Sequence, residues 1–134
     1  MPVLAWMRLA RVFQKVNRAT NEYLRVQGLT TAQFDILARV GAAEGITQQE
    51  LADSLLVTKG NVCQILDRME HRGLITRRQD GRVNRLFLTD TGRRRFAEVV
   101  PAQEALIVRQ FSTLAPAAQA ELLALLRTLD HALR

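Results

Sequence analysis

Between Gly73 and Thr89 the apolar period of this chain changes from helical to alternating, then changes back. Leu74-Ile75-Thr76-Arg77-Arg78 and Val83-Asn84-Arg85-Leu86-Phe87-Leu88 read as two short strands around Gln79-Asp80-Gly81-Arg82. Asp-Gly between β-prone runs is a strong hairpin signal. Everything outside this stretch reads as helix, and aromatic residues, which favour strands, make up only 5% of the chain. The fold class is therefore mainly α (α+β), with one hairpin set among helices.

The helices carry their own start and stop signals. Over residues 3–27, Leu9, Val12, Phe13, Val16, Ala19, Tyr23 and Leu24 form a helical apolar stripe that stops before Gly28. A helix of this length, roughly 38 Å, exceeds what so small a domain covers, so it calls for a partner. Thr30 with Gln33 and Thr47 with Glu50 have capping-box spacing ahead of two short helices. Thr58 opens a third, whose inner stripe is Val62, Ile65, Leu66 and Met69 and which ends before Gly73. After Thr89-Asp90-Thr91-Gly92 another helix runs to about Phe111 with Pro101 as an expected kink. Pro116 begins the last helix, with the stripe Leu122, Leu125, Leu126, Leu129 and Leu133.

The net charge of +6 is localised. Residues 59–95 hold ten Lys or Arg against four acids, Asp67, Glu70, Asp80 and Asp90, and the remainder is neutral. Excess positive charge gathered in one stretch of a neutral body is the footprint of a nucleic-acid binder. No apolar run approaches the roughly 20 residues of a membrane span, and Arg8 interrupts the apolar N-terminus, which does not read as a signal peptide. The single cysteine, Cys63, excludes an internal disulfide and favours a cytoplasmic setting. His71 and His131 give no metal-ligand spacing, no cofactor is implied, and no catalytic signature is present, so an enzyme is not expected.

Three helices followed by a hairpin, with the short link Leu56-Val57 between the second and third, make a winged helix-turn-helix. Early positions of the recognition helix reach base edges, which makes Lys59, Asn61 and Gln64 the candidates. Arg68 flanks them, Gly60 permits close approach, and Thr58 caps the helix with a phosphate contact as an addition. The same residue types are also common on solvated helix faces. On the hairpin, Arg77, Arg78, Arg82 and Arg85 are candidates for DNA. Arg82 at the turn suits a minor groove, or an ion pair with Asp80, or both. The Arg93-Arg94-Arg95 run reads equally as phosphate contact or solvated face.

Leu51-Ala52-Asp53-Ser54-Leu55, Thr58 to Arg77, and Asp80-Gly81-Arg82 leading to Leu88-Thr89-Asp90-Thr91-Gly92 resemble the MarR family of bacterial transcription regulators. The most specific piece is Asp-x-Arg followed by Leu-Thr-x-x-Gly, and the order of elements matches over nearly the whole chain. The resemblance implies a homodimer with interlocking terminal helices and one winged helix on each half of a pseudo-palindromic double-stranded operator. Residues 1–29 and 93–134 are then the dimerisation helices and 30–92 the DNA-binding lobe of a single domain, 1–134. Asp80 and Arg82 take the acid and arginine positions of the wing. The chain departs from the pattern in a short first wing strand, with only Gln79 between Arg78 and Asp80, and in Gly81, where a charged residue is common.

The resemblance also implies a small anionic or phenolic ligand, for which Trp6, Phe13 and Tyr23 are the cleft candidates, against the plainer reading of core or interface. Cys63, on the flank of the recognition helix, is the candidate for an oxidation-sensitive group, against inert packing. The expected function is a sequence-specific DNA-binding regulator, more naturally a repressor because such a dimer blocks polymerase. The alternatives are a protein-interaction winged helix without DNA binding and a redox-responsive regulator acting through Cys63.

Overall fold

The computed structural model describes residues 1–55 and 59–133, apart from the side chains of residues 59 and 60. The order is α1 (Pro2–Val26), α2 (Thr31–Ala42), α3 (Gln48–Ser54), α4 (Lys59–His71), β1 (Ile75–Asp80), β2 (Val83–Leu88), α5 (Asp90–Phe111) and α6 (Pro116–Ala132). The link Leu56-Val57 and the cap at Thr58 lie outside the described residues. Among the described residues no helix is long and apolar enough to cross a membrane.

Local chemistry sets the boundaries. Thr30 and Thr47 each accept the N3 backbone N–H of α2 and α3, and Gln33 and Glu50 return the bond, so both capping boxes are complete. The recognition helix α4 ends where the Leu74 N–H reaches the Met69 carbonyl at 2.9 Å and Gly73 N–H reaches Glu70 at 3.0 Å. That pair of bonds satisfies carbonyls the helix end would otherwise leave open. Thr89 caps α5: its hydroxyl accepts the Gly92 N–H at 3.0 Å and donates to the Gly73 carbonyl. A Cβ on Gly92 would stand 2.0 Å from the Leu74 carbonyl oxygen. The Leu-Thr-x-x-Gly motif is thus a joint that seats α5 directly on the end of α4.

The chain divides into two compact units, Met1–Gln103 and Glu104–Arg134. In the first, Leu24, Ile36, Leu37, Val40, Leu51, Val62, Leu66, Met69, Ile75, Leu86 and Val99 are fully buried in one core. The expected inner stripe of α4 holds, with Ile65 half-buried beside Val62, Leu66 and Met69. Each fully buried Leu, Ile or Val removes enough apolar surface to stabilise the fold by about 1.5–3 kcal/mol. The second unit holds the end of α5 and α6, and α6 buries none of its residues. The N-terminal half of α1 is equally uncovered, with Val3, Leu4, Trp6, Met7 and Phe13 all exposed. The helix α5 runs on through Pro101, and the boundary between units follows two residues beyond it.

The wing is two antiparallel strands in the register Ile75–Leu88 to Asp80–Val83. Only Gly81 and Arg82 form the turn, so β1 ends at Asp80, two residues beyond the expected end at Arg78, and the expected four-residue loop is a two-residue one. Gly81 has φ +64° and Arg82 does not share a positive φ. Positive φ at the first loop position alone belongs to a II′ turn with glycine there. The wing is also pinned to the loop before α3: Gly45 N–H donates to Leu86 and Leu86 N–H to Ile46, at 2.8 and 2.9 Å. Glu44 adds a carboxylate that accepts the Leu88 N–H at 2.8 Å and binds Arg93 at 3.1 Å.

Candidate nucleic-acid interface

The buried stripe of α4 decides what its other faces present. With Val62, Leu66 and Met69 inward, Asn61, Gln64 and Arg68 stand on one exposed outer stripe, at i, i+3 and i+7. Lys59 and Gly60 open the same helix. The expected base-reading residues are thus brought together wherever their side chains are described. An α-helix presenting Asn, Gln and Arg in this way can pair with adenine and guanine edges in a major groove.

The wing arginines divide by strand alternation. Arg78 lies directly opposite Arg85, and like charges so placed repel. Each takes a diagonal partner on the same face: Arg85 Nε binds Asp80 at 2.8 Å, and the Arg78 guanidinium sits 4.6 Å from the centre of the Phe87 ring. Arg85 also donates to the Gly45 carbonyl at 2.9 Å. The expected Asp80–Arg82 pair is therefore corrected to Asp80–Arg85. The cause is register: Arg82 belongs to the turn, whereas Arg85 is the diagonal neighbour of Asp80 across the ladder.

Arg77 turns the other way, onto the core face with Ile75, Leu86 and Leu88. Its side chain is only 20% exposed, and it donates to Asp67 and, at 3.0 Å, to Glu70. Those two hydrogen bonds hold the guanidinium still more firmly in its charged form, Asp67 contributing most. Expected among the DNA-facing arginines, it stands here on the core face of the strand with two acidic partners. Farther on, Arg93 and Arg95 bind Glu44 and Glu98, and Arg94 donates to Thr91. The basic run at the head of α5 is largely spent on internal contacts. Among the described residues of the basic segment, Arg68 and Arg82 are the arginines whose side chains make no such contact.

Between α3, α4 and the wing turn lies a cleft of about 480 Å³, lined in part by Gln48, Cys63, Arg82 and Asn84. Gln48 Nε2 donates to Cys63 Sγ at 3.0 Å, and the thiol is free and exposed. Gln48, Gln49 and Asn84 were not anticipated as part of this surface. Their neighbourhood depends on β2 lying beside the start of α3, which no local pattern encodes. Trp6, Phe13 and Tyr23 do not converge within the protomer. They are strung over 17 residues of one helix, about 25 Å. Trp6 and Phe13 are 65% and 61% exposed, while Tyr23 packs against the core. Among the described residues no cluster of His, Cys, Asp or Glu is placed to hold a metal.

Comparison with known proteins meets this geometry at the same elements. The family profile described as MarR family matches residues 27–85. An uncharacterised HTH-type transcriptional regulator of Bacillus cereus is 38% identical over 100 residues, 75% of this chain and 68% of the relative. The crystal structure of AbsC, a MarR family transcriptional regulator from Streptomyces coelicolor, superposes with a TM-score of 0.90 at 27% identity, covering 98% of this chain and 93% of that one. A mutant MarR from Escherichia coli, crystallised with operator DNA, superposes with a TM-score of 0.81 at 28% identity, covering 96% and 94%.

Proposed function

This chain belongs to the MarR family of transcriptional regulators, and from that premise we propose that it is a homodimeric, cytoplasmic repressor that seats one winged helix in each half of a pseudo-palindromic operator. Binding DNA to regulate transcription is the family's work; repression, symmetry and the contact residues are the finer reading. The observation that carries it is the exposed stripe Asn61, Gln64 and Arg68 on α4, flanked by a wing whose turn carries the uncommitted Arg82. Base-reading amides on a helix and a cation at a hairpin tip suit adjacent major and minor grooves. Dimerisation is supported by the uncovered apolar faces of α1 and α6, which a monomer leaves in water. Two-fold geometry then sets half-sites about one helical turn, roughly 34–36 Å, apart. A dimer so placed represses by occupying the path of polymerase.

Selection of bound fragments from genomic DNA tests this reading. A shared pseudo-palindrome should emerge, and affinity should fall steeply with salt. Arg82→Ala should flatten the log–log salt slope by about 0.9, the loss of one phosphate contact. Gln64→Ala should instead change the preferred base at one position of each half-site, by about 1–3 kcal/mol. Adding small anions and phenols to the same assay reads whether a ligand releases the DNA. No enrichment of any fragment at low salt would overturn the proposal.

A further inference from the structure

The flank of α4 that faces the wing carries Cys63, Asp67 and Glu70, and its two ends are built differently. At Cys63 the helix and the wing turn are parted by the cleft that Gln48, Arg82 and Asn84 also line. About 10 Å farther along the helix, Arg77 reaches from the base of β1 and binds both acids, at 3.0 Å in the case of Glu70. Among the described residues neither carboxylate has any other hydrogen-bond or ion-pair partner. The helix is therefore pinned to the wing at one end and spaced from it at the other.

Two carboxylates on the recognition helix of a DNA-binding protein oppose the phosphate charge they approach. Their place is explained by what they hold. We propose that Arg77 is a positioning residue for DNA recognition, gripping Asp67 and Glu70 so as to set the angle between α4 and the wing. That angle fixes the distance from the base-reading stripe to Arg82, and hence whether both reach their grooves together. The inference rests on the DNA-binding reading above. Asp67 and Glu70 are 66% and 43% exposed, so the network adds little to global stability. Its leverage is geometric: a small rotation about the pinned end moves the early residues of α4 most, and the cleft leaves room for that rotation.

The test is the double variant Asp67→Asn with Glu70→Gln, measured on a selected fragment and on unrelated DNA. Removing two negative charges by itself tightens binding to both alike. The clamp predicts that the ratio of selected to unrelated affinity falls by about fivefold, the scale of an exposed ion-pair network, with thermal unfolding close to wild type. Arg77→Lys should lose a similar part of the ratio, because an ammonium lacks the planar fork that guanidinium offers to carboxylates. Neither variant should change the salt slope. A drop of about 0.9 in Arg77→Ala, which removes the charge that Arg77→Lys keeps, would make Arg77 a phosphate contact and overturn the proposal. In the free protein, hydrogen exchange over residues 62–71 should quicken in the double variant while α2 stays protected. An unchanged affinity ratio in a folded double variant removes the clamp alone. A wild-type protein that does not discriminate between the fragments removes the DNA reading, and the clamp with it.

Discussion

Leu66 and Leu129 are both leucines on the apolar stripe of an amphipathic helix, yet one is fully buried and the other is 49% exposed. The difference separates two regions of the molecule. In the lobe from α2 to β2, helices and hairpin cover one another, and the apolar positions of each element end in a shared core. Along the first half of α1 and in α6, the same kind of pattern leaves most of its apolar positions exposed. Periodicity states that a face will be buried; it does not state by what. In the lobe the answer is intramolecular, and at the ends we read it as a second copy.

The comparison breaks most visibly at Leu66. Leu66→Ala should lower unfolding free energy by about 2–5 kcal/mol through transfer and cavity terms, equally at low and high protein concentration. Calorimetry across a hundredfold concentration range checks it, and a concentration-dependent loss would mean that the lobe depends on dimerisation for its fold.

At the ends the expected outcome is reversed. Trp6→Ala or Phe13→Ala should weaken dimerisation by about 2 kcal/mol, roughly thirtyfold, as aromatic anchors of an interface do. Light scattering should then find monomers at concentrations where the wild type is dimeric. An unchanged dimer constant would assign those exposed aromatics to something other than self-association.

The smallest effect expected concerns the edge of the lobe, where Glu44 holds Leu88 at the end of the wing and Arg93 at the start of α5. The Leu88 N–H, followed by the Arg93 contact, holds its carboxyl below the ordinary value of 4.5. A carboxylate depressed in the folded state contributes stability that is present above the unfolded pKa and is lost as pH falls through the folded one. Wild-type stability should therefore decline below pH 4.5 more steeply than that of Glu44→Gln. Parallel acid limbs in urea titrations would show that Glu44 is not coupled to folding.

Much of the lobe was legible because its signals are local. The Thr30 and Thr47 caps, the stop at Gly73 and the change of period after it each depend on residues within one or two turns. The outward stripe of α4 followed from the inward one. Even Arg77 had a legible sign: two residues beyond the core residue Ile75, it falls on the core face of an alternating strand. The charge count concealed this, because it counted Arg77 with the outward arginines.

What the sequence determined by itself is the set of elements, their order, the recognition helix with its exposed stripe, and the concentration of positive charge on helix and wing. Only the tertiary structure decided which charges remain available. Register gave Asp80 to Arg85 and left Arg82 at the turn, packing turned Arg77 onto Asp67 and Glu70, and Glu44 paired with Arg93. The physical reason is range. Capping and periodicity act over a few residues, whereas ion-pair partners are chosen by the distances that folding creates between segments far apart in the chain.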